Sequence, residues 1–317
     1  MNSAFPWTDR VRSAVRESAW PWWLLVALYY VVCCLAHLRF SLWLVRQRET
    51  VFGSRSYSEL VPLVVVLSGI ALVVWVARQV RRSPRPKLTG AYWLLWLASV
   101  AAIDLLLTYS INEYAHYPQY GMLAWLLARA LDARRTRWCV GRVLFWATLL
   151  GTGDELLQYL WITTTYSDYL DFNDILVNLV AAAAGLLLYY GAAELPPQDS
   201  NGALPGLEWA SAAVLVIAMT ACMQTGLVIR DPPGAIPPGG LARQPDGSGH
   251  LYLQRGPSFY GSWQKGPRHG KHYVLTPEAG MGWTLAAFIA FAAFGRTGGR
   301  RRNAPFADWL ARRTLAK

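Results

Sequence analysis

Two stretches of this chain, residues 60–77 and 209–229, run without one charged side chain. About 20 predominantly apolar residues is the length at which an α-helix crosses a bilayer, at about 1.5 Å of rise per residue. Runs of this kind recur, and eight spans can be drawn, at residues 20–38, 59–77, 91–110, 113–131, 138–161, 174–192, 208–229 and 278–295. Only 15% of the 317 residues are charged, against about a quarter in ordinary soluble domains. A large soluble catalytic domain is therefore excluded. The expected fold class is all-α: a polytopic transmembrane helical bundle of about eight spans.

An even number of spans returns both termini to one side. Placing that side in the cytoplasm puts roughly twice as many of the 30 Lys and Arg residues inside as outside, which is the bias that orients membrane proteins. The net charge of +11 then records orientation rather than nucleic-acid binding, for which no motif is present. The basic C-terminal tail, with Arg300, Arg301 and Arg302, is expected to meet anionic lipid at the cytoplasmic leaflet. Arg10, Arg12 and Arg16 ahead of the first apolar run suit an uncleaved anchor. Arg39, Arg46, Arg48 and Arg55 fall in the first outer loop, where the apolar patch 40–45 either lies on the membrane surface or extends the first helix. Aromatic residues near span ends, Trp20, Trp22, Trp23, Tyr92, Trp93, Tyr189 and Tyr190, are expected to sit as anchors in the membrane interface.

The chain divides into helices 1–3 (residues 1–110), a core of helices 4–6 (111–192), a linker with helix 7 (193–229), an outer loop (230–277), and helix 8 with the basic tail (278–317). The outer loop holds 8 Pro and 9 Gly in 48 residues, which argues for extended chain. Its stretch from Asp246 through His250, Tyr252 and Tyr260 to Trp263 predicts a small hairpin. His250, His269 and His272 have no accompanying acid cluster to make a metal site. Cys33, Cys34, Cys139 and Cys222 lie in or beside spans and form neither a disulfide framework nor a CxxC pair.

The acids are placed less evenly than the bases. Asp104, Glu113, Asp154, Glu155, Asp168, Asp171 and Asp174 gather in the middle of the chain. Asp104 is expected about 9 Å inside the third span, a depth that costs a carboxylate at least about 2.5 kcal/mol unless it finds a partner. Consecutive spans alternate direction, so the end of the third, the start of the fourth, the end of the fifth and the start of the sixth share one membrane side. Spacing adds detail: Glu113, His116 and Tyr120 are three and four residues apart, Asp154 and Gln158 four, Glu155 and Gln158 three, and Asp174 and Asn178 four, each a helical-face interval. Pro118 interrupts the first group unless the helix begins close to it.

The segments 112–123 (NEYAHYPQYGML), 151–158 (GTGDELLQ) and 173–178 (NDILVN) together resemble the VanZ-like family, named for a teicoplanin-resistance membrane protein. That family carries a Glu and a His ahead of a Tyr, then Asp-Glu-x-x-Gln, then Asp-x-x-x-Asn with a downstream Gly. By position, the resemblance implies Glu113, His116, Tyr120, Asp154, Glu155, Gln158, Asp174, Asn178 and Gly185 as the matching residues, over about 80 residues. Family members usually have an Arg between the Gln and the following Asp; between Gln158 and Asp174 this chain has none.

Carboxylates crowded around a histidine and two amides have the composition for general acid and base chemistry, with Glu113, His116, Asp154 and Glu155 as catalytic candidates and Tyr120, Gln158, Asp174, Asn178 and Asp104 as binding candidates. Oxygen and imidazole ligands of this kind also suit a divalent cation. At the outer leaflet the site would face phospholipid or a lipid-linked cell-wall precursor. Four roles follow: an enzyme acting on an envelope lipid with water as nucleophile, an accessory protein that binds such a lipid without turnover, a proton-coupled transporter, or a polar network that only locks helix ends together.

Overall fold

The computed structural model describes residues 20–46, 57–163, 167–193, 204, 206–237, 239–243 and 247–296. Residues 10–16, Arg48, Arg55, most of the linker 193–207 and the basic tail lie outside them. Among the described residues are eight α-helices: α1 (Trp20–Arg46), α2 (Tyr57–Arg82), α3 (Pro86–Leu106), α4 (His116–Leu131), α5 (Val140–Leu157), α6 (Phe172–Tyr190), α7 (Gly206–Gln224) and α8 (Pro277–Arg296). Each of the eight expected spans coincides with one helix. The apolar patch 40–45 continues α1.

Four of the helices, α3, α6, α7 and α8 over Pro277–Gly295, are long and apolar enough to cross a membrane. The outward faces of others are apolar as well: Leu63, Val64, Ile70 and Val73 on α2, like Val214, Val216 and Ile217 on α7, are all exposed. Contiguous apolar surface on that scale is disfavoured in water and favoured against lipid.

Helix α6 is the centre of the molecule. Beyond its first two turns its sequence is apolar on every side, the pattern of a helix surrounded by protein, and 89% of its apolar stretch is buried. It packs on α3, α4, α5 and α8. Gly185 makes the closest of these approaches possible, since a Cβ built there would stand 2.0 Å from the carbonyl oxygen of Gly121 in α4.

The bundle is pinned by side chains reaching backbone carbonyls. Gln79 Nε2 donates to Leu187 O (2.9 Å) and Leu188 O (2.8 Å), while its Oε1 accepts from Trp93 Nε1 at 3.1 Å. Trp96 Nε1 donates to Val180 O at 2.9 Å. Between α4 and α5, Asp132 accepts from the backbone N–H groups of Thr136, Arg137 and Trp138 and from Tyr190 OH, and its carbonyl accepts from Tyr189 OH. Trp93, Tyr189 and Tyr190 are thus buried core residues, not the interfacial anchors expected from their position. A buried aromatic with a polar tip must find a partner, and Gln79 and Asp132 supply them. Trp20 and Trp23 do remain exposed.

The fold is mostly helical rather than purely so. The outer loop carries five short strands, β1 (Val228–Ile229), β2 (Leu241–Arg243), β3 (Gly249–Tyr252), β4 (Ser262–Gly266) and β5 (Gly270–Val274). They form two sheets, one in the order β1-β3-β2 and one antiparallel hairpin β4-β5. In the first, β1 runs parallel and β2 antiparallel to β3. The hairpin pairs Ser262 with Val274 and turns at Gly270, whose φ of 78° favours glycine. The stretch in which a hairpin was expected, Asp246 to Trp263, holds β3, paired antiparallel with β2, and the start of β4, whose hairpin with β5 runs on beyond it. The loop folds against the connection from α5 to α6: Leu170 N donates to Leu253 O (2.8 Å), Arg255 N to Asp168 O (2.7 Å) and Tyr159 OH to Tyr252 O (2.8 Å). Asn173, at the start of α6, joins three segments by donating to Leu107 O and Tyr273 O and accepting from Leu275 N.

Candidate functional site

The ends of α4, α5 and α6 meet beneath that loop. His116 opens α4, and Tyr120 is one turn further on. Pro118 is tolerated because it falls in the first turn, where a backbone N–H has no helical acceptor to lose. Asp154 and Glu155 lie in the last turn of α5, after which the chain makes a π-helical turn over Gln158–Ile162. Such turns recur at functional sites. Asp171 caps α6, accepting from the N–H groups of Asn173 and Asp174, and so holds Asp174 and Asn178 in the first two turns of that helix.

These elements bring His116, Glu155, Asp174 and Asn178 together. His116 Nδ1 lies 2.7 Å from Asn178 Oδ1, and Asn178 Nδ2 donates to Glu155 Oε1 at 3.0 Å. Glu155 as a carboxylate can only accept, so the amide must turn its NH2 to Glu155 and its carbonyl to His116. The histidine therefore carries its proton on Nδ1. That leaves Nε2 as the lone-pair nitrogen, 4.0 Å from Asp174 Oδ2. One ligand atom from each of His116, Glu155 and Asp174 lies within 4.8 Å of the others. Beside them Tyr120 OH donates to Asp154 Oδ2 at 2.6 Å, with the Tyr120 ring stacked on the imidazole.

Burial makes this arrangement demanding. Asp154 is fully buried, Glu155 and His116 nearly so, and Asp174, with 15% side-chain exposure, is the most open member. Asp154 Oδ1 and Asp174 Oδ1 are both shielded and have no hydrogen-bond partner. Among the described residues no Lys or Arg pairs with Asp154, Glu155 or Asp174. Just outside the helical segment, burial and the neighbouring Asp174 push the Asp171 carboxyl up to about 8.

Three sequence candidates stand apart. Asp104 does not join the cluster. Helix α3 ends at Leu106 rather than near residue 110, so Asp104 occupies its last turn, where the helix dipole disfavours a negative charge. The outer loop offsets this: the Arg268 guanidinium donates from Nε to Asp104 Oδ1 at 3.2 Å and His269 Nε2 lies 3.2 Å from Oδ2, with Tyr114 OH bonded to the same carboxylate. Glu113 lies in a 3-10 turn (Ile111–Ala115), not on the α4 face with His116, and accepts from the backbone N–H groups of Tyr109 and Ser110. Its first duty is to cap that turn. Gln158 begins the π turn, and its Nε2 has no hydrogen-bond partner.

Sequence reasoning did not single out Gly151 or Asp132. A Cβ on Gly151 would press within 3.2 Å of both Asn178 Cβ and Tyr120 Cε1, so glycine there lets α5 close on the site. Asp132, among a run of arginines, resembles an ordinary surface acid until the fold surrounds it. The three loop histidines are dispersed: His250 bonds Gly226 O, His272 lies near Tyr169 OH, and His269 pairs with Asp104. The four cysteines form no disulfide.

On the opposite face of α6 is an apolar groove of about 650 Å3. Leu176 and Val180 form its floor, α3 and α8 its sides, and Trp263 and Tyr273 of the β4-β5 hairpin its end. Two positions along a helix differ by about 200°, which explains why Asp174 and Asn178 turn away from this groove. Compared with family models, curated proteins and solved structures, the chain matches none.

Proposed function

We propose that the chain is a VanZ-like protein of the bacterial cytoplasmic membrane, with eight spans and both termini in the cytoplasm, that binds or modifies a lipid or lipid-linked envelope component. The observation that carries this reading is the buried His116–Asn178–Glu155 relay facing Asp174 where three helix ends converge. A network that only joined helices would satisfy its own polar atoms. Here two carboxylate oxygens are left over, on Asp154 and Asp174, and these are the atoms a reacting or bound group would engage. The proposed orientation puts the cluster at the outer leaflet, under the folded loop and within reach of head groups. The apolar groove between α3 and α8 is of a size to take acyl chain.

In the enzymatic form of this role, His116 and the neighbouring carboxylates activate water and return a proton to the leaving group. The Arg that the resemblance expects between Gln158 and Asp174 is missing from that segment, but Arg255 of the outer loop brings its guanidinium to within 3.6 Å of Asp168 there. The test is mass spectrometry of lipids that co-purify with the protein, followed by incubation with the lipid found. A specific lipid, converted by the wild type and not by Glu155→Gln at equal membrane abundance, supports the enzyme. Binding without conversion makes it an accessory protein of glycopeptide resistance or envelope assembly, and no enrichment of any lipid refutes both.

A further inference from the structure

The side-chain atoms that converge in the cluster have a common chemical character. His116 Nε2 is a lone-pair nitrogen, because Nδ1–H is committed to Asn178 Oδ1. It faces Asp174 Oδ2 at 4.0 Å, Nδ1 of the same ring lies 3.9 Å from Glu155 Oε1, and one ligand atom from each of the three residues lies within 4.8 Å of the others. Asp154 provides an independent sign. Its side chain is fully buried, its charge bears on His116, Glu155 and Asp174 alike, and its Oδ1 has no hydrogen-bond partner. Lone pairs converging on one point, with no Lys or Arg among the described residues paired to the carboxylates of Asp154, Glu155 or Asp174, are costly in a low-dielectric interior unless a positive charge joins them.

We infer that His116 Nε2, Glu155 and Asp174 hold a divalent first-row cation. One imidazole with carboxylates suits Mn2+, Fe2+ or Zn2+ better than Ca2+, which prefers oxygen alone. Asn178 is the positioning residue: a metal-bound histidine usually donates its other ring N–H to an oxygen that fixes its orientation, and Asn178 does this while also holding Glu155. Metal–ligand bonds of about 2.1 Å set neighbouring ligands about 3 Å apart and opposite ones about 4.2 Å apart. The cluster therefore closes by up to about an ångström on the ion. This inference deepens the proposed lipid role and rests on it in taking the cluster as the working centre; a cation there would bind the phosphate of a head group directly.

The experiment is Mn2+ titration of the full-length protein in detergent, followed by electron paramagnetic resonance. The expected result is one bound Mn2+ per chain with spin-echo modulation from a directly coordinated 14N. Binding should be lost in His116→Ala, fall at least tenfold in Asp174→Asn and about 10- to 100-fold in Asn178→Ala, and persist in Glu278→Gln, whose carboxylate pairs with Arg230. Absence of binding at millimolar Mn2+, a bound ion without nitrogen coupling, or binding unchanged in His116→Ala overturns the inference. If the variants fail to fold, the nitrogen signal of the wild type still decides. Mn2+ binding without any enriched lipid would retain the cation and remove the lipid role, and an enriched lipid without Mn2+ binding would do the reverse.

Discussion

Gly185→Ala sets two effects of opposite sign against each other. In an isolated helix, alanine is better than glycine by about 1 kcal/mol, so the substitution should help wherever space allows. At Gly185 it does not, because the new Cβ would lie 2.0 Å from Gly121 O, 2.9 Å from its carbonyl carbon and 3.1 Å from its Cα. All three are backbone atoms, which no rotamer change can move aside. Restoring an ordinary carbon–oxygen contact of about 3.3 Å requires α4 and α6 to separate by about 1.3 Å along that line, in an interior packed as densely as a crystal. Overpacking of this kind costs about 1–3 kcal/mol and sometimes more; a backbone clash this close belongs at the upper end, which less the helical gain of about 1 kcal/mol leaves a net loss of about 2 kcal/mol. The same separation would pull His116 from Asn178, since both sit on these two helices, and break the 2.7 Å contact. Gly121→Ala is the contrasting case: its Cβ would meet Ala181 O at 3.4 Å, close to ordinary contact, so the propensity gain should roughly balance the crowding. Thermal unfolding of the three proteins in the same detergent, with Mn2+ binding on each, tests this. Gly185→Ala as stable as the wild type, or Gly121→Ala equally damaging, would refute the packing argument.

Asn178→Leu removes the partner of both the His116 Nδ1–H and Glu155 Oε1; at about 1–3 kcal/mol for each buried group deprived of a partner, chemical unfolding should register a loss of about 2–6 kcal/mol, and a neutral result would mean that the relay is not formed. Asp132→Ala should cost at least about 3 kcal/mol in the same assay, because three backbone N–H groups and Tyr190 OH lose their acceptor, yet leave Mn2+ binding intact in the folded fraction, since Asp132 lies at the other end of the helices. For Asp171, the folded carboxyl titrates at about 8 against an ordinary 3.8, so the folded state holds the proton more tightly. Its contribution to stability is fully present below about pH 4, declines as pH rises and is gone above about 8. Asp171→Asn preserves the helix cap and removes the titration; a decline between pH 4 and 8 that is just as steep in this variant would show that another group is responsible.

Much of the helical plan was legible in the chain because membrane-length apolar runs declare themselves locally. Each of the eight runs coincides with a helix, and the alternation of direction already placed the starts of α4 and α6 and the end of α5 together. The spacings of His116 with Tyr120 and of Asp174 with Asn178 were legible for the same reason, since they depend only on the helical repeat. What the sequence could not convey was where helices stop and which loop comes back to meet them. Asp104 was counted with the cluster on the assumption of a longer third helix; α3 ends at Leu106, and Arg268 and His269, more than 160 residues away in the chain, take the carboxylate instead. Trp93 and Tyr190 carry the local marks of interfacial anchors, yet Gln79 and Asp132 draw them into the core. The tautomer of His116, the orientation of Asn178 and the unpartnered oxygens of Asp154 and Asp174 belong to tertiary structure alone. Spacing along a chain determines which face of a helix a side chain occupies, but only the packing of separate helices sets the few ångströms on which a hydrogen bond or a metal bond depends.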